Sequence, residues 1–137
     1  MRIEDLLIKH EGLRLKPYEC TAGDITIGVG RNLESMGLSE DEVYYLLAND
    51  IRRCEQELTK AFEWFTHLDS VRQDAMMDMC FNLGMSRLRG FRDALREMSL
   101  SNYEAASVEF LDSNWAEQVG QRAITITNMI RTGEYDA

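Results

Sequence analysis

The sequence predicts an α+β fold that is mainly α, with a small β-hairpin lobe near the N-terminus and a larger helical lobe after it. Two observations carry this. The only proline and four of the nine glycines fall between residues 12 and 30, among short runs that alternate apolar with small or polar residues, as half-buried strands do. From Ser39 onward the apolar residues recur at helical spacing, with capping signals between successive runs. A chain of 137 residues with 45% hydrophobic content is long enough for one compact unit with a sizeable core. A single domain over 1–137 is expected, with residues 12–38 forming the β lobe and 39–137 the helical lobe, packed with a helix over 3–11.

The elements follow in order. Ile3, Leu6, Leu7 and His10 predict a short helix over 3–11, and Gly12 is a plausible stop. Lys16-Pro17-Tyr18-Glu19-Cys20 reads as a strand beginning at a proline. Thr21-Ala22-Gly23-Asp24 supplies a turn, and Ile25–Gly30 reads as the second strand. Ser39-Glu40-Asp41-Glu42 is a capping box with acids where the helix dipole favours them. Val43, Leu46, Leu47, Ile51, Cys54 and Leu58 then form one long apolar stripe. Asp69 caps a helix carrying Val71, Ala75, Met79 and Leu83, which Gly84 ends. Leu88, Phe91 and Leu95 mark another helix, and Asn102 opens one through Ala105, Val108 and Leu111. Trp115 to Val119 reads as a short turn. The last helix runs from Arg122 to Thr132, presents Ala123, Ile126 and Ile130, and closes at Gly133.

Composition excludes several classes. A formal net charge of −9 disfavours broad binding to nucleic acid or anionic lipid. No apolar run reaches the length of a membrane span. The N-terminus has acids, Glu4 and Asp5, where a secretion signal carries cations, so no signal is read there. Three cysteines with irregular spacing form no CxxC pair, which argues against zinc and for a reduced, cytosolic protein. No cofactor or metal is expected. Gly28-Val29-Gly30 lacks the third glycine and the following helix of a dinucleotide site, and reads better as bends in a strand.

The chemistry concentrates near the N-terminus. Glu11 ends an apolar helix, where partial desolvation would raise a carboxyl pKa and make it a proton donor. Cys20 and Thr26 follow with the spacing Glu-x8-Cys-x5-Thr. Cys20 is a candidate nucleophile or base once its thiol pKa is lowered, although a lone cysteine is more often a small buried hydrophobe. Thr26 is a candidate for positioning water, against the plain reading of a threonine in a strand. Arg122 opens the last helix, where a cation opposes the helix dipole, which points to a specific anionic partner.

These residues, with His10-Glu11-Gly12-Leu13-Arg14-Leu15-Lys16, Thr26-Ile27-Gly28-Val29-Gly30, Leu68-Asp69-Ser70-Val71-Arg72, Phe81-Asn82-Leu83-Gly84, Trp115 and Arg131–Ala137, resemble the phage T4-type lysozymes almost end to end. That is a glycoside hydrolase family acting on bacterial peptidoglycan. The resemblance implies a lysozyme-like fold and cleavage of the β-1,4 bond between N-acetylmuramic acid and N-acetylglucosamine for host cell lysis. It assigns Glu11 as general acid, and Cys20 and Thr26 as the residues that position or activate water. Gly30, Asn32 and Phe81 are assigned to substrate, and Arg122 to pairing with the glutamate. It implies a monomer made in the host cytoplasm that reaches the wall after the membrane opens. A catalytically inactive wall-binding protein, a lytic transglycosylase and a Cys20-dependent amidase or peptidase are the alternatives. Arg31 stands where a histidine often occurs, so a His–Asp pair found in some members is absent. Ala94 and Glu109 replace polar substrate-binding residues, and the segment Asn32–Leu38 is short. Encounter with an anionic wall would rest on local cations such as Arg87, Arg89, Arg92 and Arg96.

Overall fold

A computed structural model describes residues 2–136; the expectations placed on Met1 and Ala137 lie outside them. The fold is α+β and mainly helical. Helix α1 (Ile3–Glu11) leads into an antiparallel sheet of β1 (Arg14–Glu19), β2 (Ile25–Gly28) and β3 (Arg31–Asn32), in the order β1-β2-β3. There follow α2 (Glu40–Ala61), a 3₁₀ turn at Phe65–His67, α3 (Ser70–Leu83), α4 (Met85–Leu88), α5 (Arg92–Ser99), α6 (Tyr103–Leu111), α7 (Asn114–Val119) and α8 (Gln121–Thr132). The chain falls into two compact units that divide between Leu46 and Leu47. The first therefore takes in the opening turns of α2, beyond the lobe boundary expected at 38/39.

In the first unit, α1 has the predicted bounds. Strand β1 starts earlier than predicted, at Arg14, and Pro17 lies inside it. The register breaks between Arg14 and Tyr18, and this irregularity accommodates a residue with no N–H to give to the ladder. The predicted second strand, Ile25–Gly30, ends early, at Gly28, and a further short strand follows it. Positive φ angles at Gly28 and Gly30 turn the chain after β2, and β3 folds back so that Thr26 pairs with Asn32 and Ile27 with Arg31. The predicted capping box is present in full: Glu42 N–H donates to Ser39 Oγ at 3.2 Å, and Ser39 N–H to Glu42 Oε1 at 2.7 Å.

The second unit holds the core, which includes Leu58, Phe65, Met76, Met79, Leu88, Phe110, Trp115 and Ile130. Helix α6 packs on α5 and α8, and α3 packs on α8. The α2 stripe is corrected: Leu58 is buried and Cys54 half-buried, whereas Val43, Leu46, Leu47 and Ile51 are all exposed. The core reaches this long helix only at its C-terminal part. The helix predicted through Leu88, Phe91 and Leu95 is two helices. It breaks at Gly90, a poor helix former, where Gly90 and Phe91 turn to three-residue hydrogen bonds. On α6 the buried residues are Ala106, Ser107 and Phe110; Ala105, Val108 and Leu111 are exposed. Ser107 is tolerated in the core because its hydroxyl is within 2.8 Å of the Tyr103 carbonyl and 3.0 Å of the Thr127 carbonyl. The predicted turn at Trp115–Val119 is helix α7, capped by Ser113 Oγ accepting from Ala116 N–H at 3.2 Å.

Asp69 caps α3 as predicted. It accepts from Arg72 N–H at 3.1 Å and from Arg72 Nη1 at 2.9 Å. Arg72 in turn donates through Nε to the Ile130 carbonyl at 2.6 Å, tying α3 to α8. Asp69→Ala should lower unfolding stability by about 1 kcal/mol, read as a lower urea midpoint at unchanged slope.

Candidate functional site

Glu11 is the last residue of α1, and Gly12 N–H closes the helix on the Ile8 carbonyl at 2.8 Å. No residue of α1 is buried and Glu11 itself is exposed. The sequence argument for a carboxyl desolvated by its own apolar helix is therefore corrected: the apolar side chains that would desolvate it face water. What Glu11 does touch is the β2–β3 turn. A β-carbon placed on Gly30 would lie 2.7 Å from Glu11 Oε2 and 3.1 Å from its Cδ. The carboxylate thus occupies space that only a glycine leaves open.

Cys20 and Thr26 meet around the β1–β2 loop. Cys20 N–H donates to the Asp24 carbonyl at 2.9 Å, and Gly23 N–H to the Cys20 carbonyl at 2.8 Å. This curls the loop so that the N–H groups of Ala22 and Asp24 point at the thiol. They hold its pKa below the ordinary cysteine value, with help from the Thr26 hydroxyl and against partial burial and the Asp24 charge. Thr26 is buried, at 3% exposure, and its hydroxyl also reaches the Asp24 carbonyl at 3.0 Å. One hydroxyl proton thus has two acceptors within range.

Asn32 is brought to the same place, with its side chain already engaged. Its Nδ2 donates to Asp24 Oδ2 at 2.8 Å, and its Oδ1 accepts from the N–H groups of Glu34 and Ser35 at 3.0 Å each. Asp24 joins Cys20, Thr26 and Asn32, yet the sequence marked it only as part of a turn. Its carboxyl is held below the ordinary aspartate value, chiefly by Asn32 and then by Glu34.

Arg31 pairs with Glu42 at 2.7 Å and also donates to the Gly37 carbonyl at 3.1 Å. Hydrogen bonds from Arg31, then from the Ser39 backbone and hydroxyl, draw the Glu42 carboxyl down to about 2. A carboxyl whose folded pKa is depressed adds stability above its unfolded pKa, near 4.5, and loses it as pH falls through the folded value of about 2. The stability margin of the natural chain over Glu42→Gln should therefore be full at pH 6 and shrink steadily between 4.5 and 2. Urea midpoints measured across that range check this; a constant margin would overturn it.

In the second unit, Phe81 and Arg122 line one cavity of about 410 Å³ with Leu47, Ile51, Asp74 and Asp78. Arg122 Nε donates to Asp78 Oδ1 at 2.8 Å. The anionic partner that a cation at a helix start called for is thus present within the unit, on α3. The cationic patch is corrected. Arg87 and Arg92 line a cavity of about 380 Å³ in which Asp93, Glu109 and Asp112 also stand, so the surface there is of mixed charge; Ala94 lies in the same wall.

The cysteines separate by environment. Cys80 is buried, and burial, followed by the influence of Cys54, pushes its thiol up to about 12. Iodoacetamide at neutral pH should label Cys20 well before Cys80, as read by peptide mass spectrometry; equal labelling would contradict the two settings.

Among the described residues no helix is long and apolar enough to cross a membrane, and no group of three or more His, Cys, Asp or Glu side chains could hold a metal ion.

An endolysin of Salmonella phage P22 is 31% identical over 113 residues, covering 77% of this chain and 75% of the relative. An endolysin of Acyrthosiphon pisum secondary endosymbiont phage 1 is 29% identical over 121 residues, covering 85% and 80%. A probable T4-type lysozyme of Dictyostelium discoideum is 26% identical over 165 aligned positions, covering 98% and 96%. That alignment is longer than the 137-residue chain, so this relative carries segments that the chain lacks. The phage lysozyme family profile matches residues 8–131, a span that takes in Glu11, Cys20, Thr26, Phe81 and Arg122, and on this match the chain belongs to the phage lysozyme family.

Proposed function

We propose that the protein is a muramidase that hydrolyses the β-1,4 bond between N-acetylmuramic acid and N-acetylglucosamine in peptidoglycan, in the service of host cell lysis. The observation that carries this reading is the packing of the Glu11 carboxylate into the space above Gly30, on the turn that leaves the strand bearing Thr26. Protonated Glu11 gives its proton to the glycosidic oxygen as the C–O bond breaks. Water attacks the anomeric carbon from the opposite face, held by Thr26 and by Cys20, whose thiolate the Ala22 and Asp24 N–H groups favour, and the thiolate takes up the proton that the water sheds. The product has inverted configuration. Arg122 is read as a supporting residue, held by Asp78 within its own unit. Gly30 and Phe81 are each read as substrate-binding residues, whereas Asn32 serves chiefly to order the loop because its amide is engaged within it.

The test is the chemistry of the products. Purified protein on chloroform-treated Gram-negative cells should clear turbidity, and the released muropeptides should carry reducing ends and intact peptide stems by mass spectrometry. Anhydro-sugar ends would replace this reading by transglycosylation, and cleaved stems by a Cys20-dependent amidase or peptidase. Wall binding without products would leave an inactive wall-binding protein.

A further inference from the structure

We infer that Asp24 is a positioning residue of this site, holding Cys20, Thr26 and Asn32 in one arrangement through both its backbone and its carboxylate. The inference rests on the reading of Cys20 and Thr26 as water-handling groups and names what places them. The Asp24 carbonyl accepts from Cys20 N–H at 2.9 Å and lies 3.0 Å from the Thr26 hydroxyl. Its carboxylate takes the Asn32 amide at 2.8 Å. Asn32 is the cross-strand partner of Thr26 and binds the N–H groups of Glu34 and Ser35, so that bond fixes β3 against the loop. A residue that only closed a hairpin would need the backbone contacts but not the carboxylate bridge to the neighbouring strand.

Asp24 also acts on Cys20 in two opposed ways. Its N–H favours the thiolate, while its negative charge disfavours it. Among the described residues Asp24 is the charged side chain seen to act on the Cys20 thiol, and Glu34 acts on Asp24 in turn. Position and charge can therefore be separated by substitution. Asp24→Asn keeps the backbone contacts and an oxygen for Asn32 but removes the charge. Asp24→Ala removes the bridge as well.

The experiment follows Cys20 alkylation against pH, peptide by peptide, in the full-length chain. Asp24→Asn should move the midpoint of Cys20 labelling to lower pH while the circular dichroism spectrum stays unchanged. Asp24→Ala, if folded, should also lose muramidase turnover, by up to about 100-fold, with most of the loss in kcat. An Asp24→Asn midpoint equal to or above that of the natural chain overturns the inference. So does a folded Asp24→Ala protein with natural turnover. If Asp24→Ala does not fold, Asp24→Asn decides alone. The labelling readout needs no turnover. A Cys20→Ser variant with full activity would remove Cys20 from the proposed mechanism while leaving the link between Asp24 and Cys20 to be judged on its own profile.

Discussion

Replacing Glu11 by glutamine should lower the rate of muropeptide release by about 10²–10⁴-fold, the range that a positioned general acid contributes. The substitution preserves shape and the capacity to hydrogen-bond. It removes the one thing the mechanism needs, a proton that can be given to the leaving oxygen. Glu11 is exposed and ends its helix, so stability should change by no more than about 0.5 kcal/mol. Loss of turnover with an unchanged urea midpoint is therefore the expected pair of results. Turnover of Glu11→Gln on purified sacculi within a factor of two of the natural chain would remove Glu11 from its role, and the proposed mechanism with it.

Gly30→Ala should damage both stability and activity, and a neighbouring glycine separates the two effects. At Gly30 the backbone φ is +66°, a region that L side chains enter at an expense of about 1–3 kcal/mol. The added methyl would also stand 2.7 Å from Glu11 Oε2, so the carboxylate must move. A displacement of about 1 Å of a reacting group lowers turnover by up to about 100-fold. Gly28 shares the first feature and lacks the second: its φ is +71°, but nothing lies within 4 Å of an added β-carbon. Gly28→Ala should lose stability and keep its turnover per folded molecule, whereas Gly30→Ala loses both. Equal activities in the two variants, corrected for the folded fraction, would show that the Glu11–Gly30 contact has no part in the chemistry.

Helix placement was readable where local signals and tertiary packing agree. The capping box at Ser39, the cap at Asp69 and the glycines after α3 and α8 each act within a few residues, and the helices begin and end where those signals stand. Burial was read less well, because spacing shows a face without showing what covers it. The α2 stripe has the right period, yet the core reaches only its C-terminal part. On α6 the buried face includes Ser107, which a search for apolar residues passes over and which two carbonyls make acceptable. The site divides in the same way. Glu11, Cys20 and Thr26 were visible from spacing and family resemblance. Asp24 and Asp78 were not, and Glu42 was visible only as a helix cap, because each also acts through a partner distant in sequence: Asn32 on another strand, Arg122 on the last helix, and Arg31 across a turn. A cation at the start of α8 was the one sequence signal of such a partner.

The loop that holds Cys20 sets which anions this position suits. The groups that favour its anion are the main-chain N–H groups of Ala22 and Asp24, before the Thr26 hydroxyl. Main-chain donors are present whatever side chains the loop carries, and they serve an oxygen anion as readily as a sulfur one. The loop is thus a socket for negative charge rather than for a thiol. The main-chain donors around position 20 would meet a carboxylate there as they meet a thiolate, with the Asp24 charge opposing either.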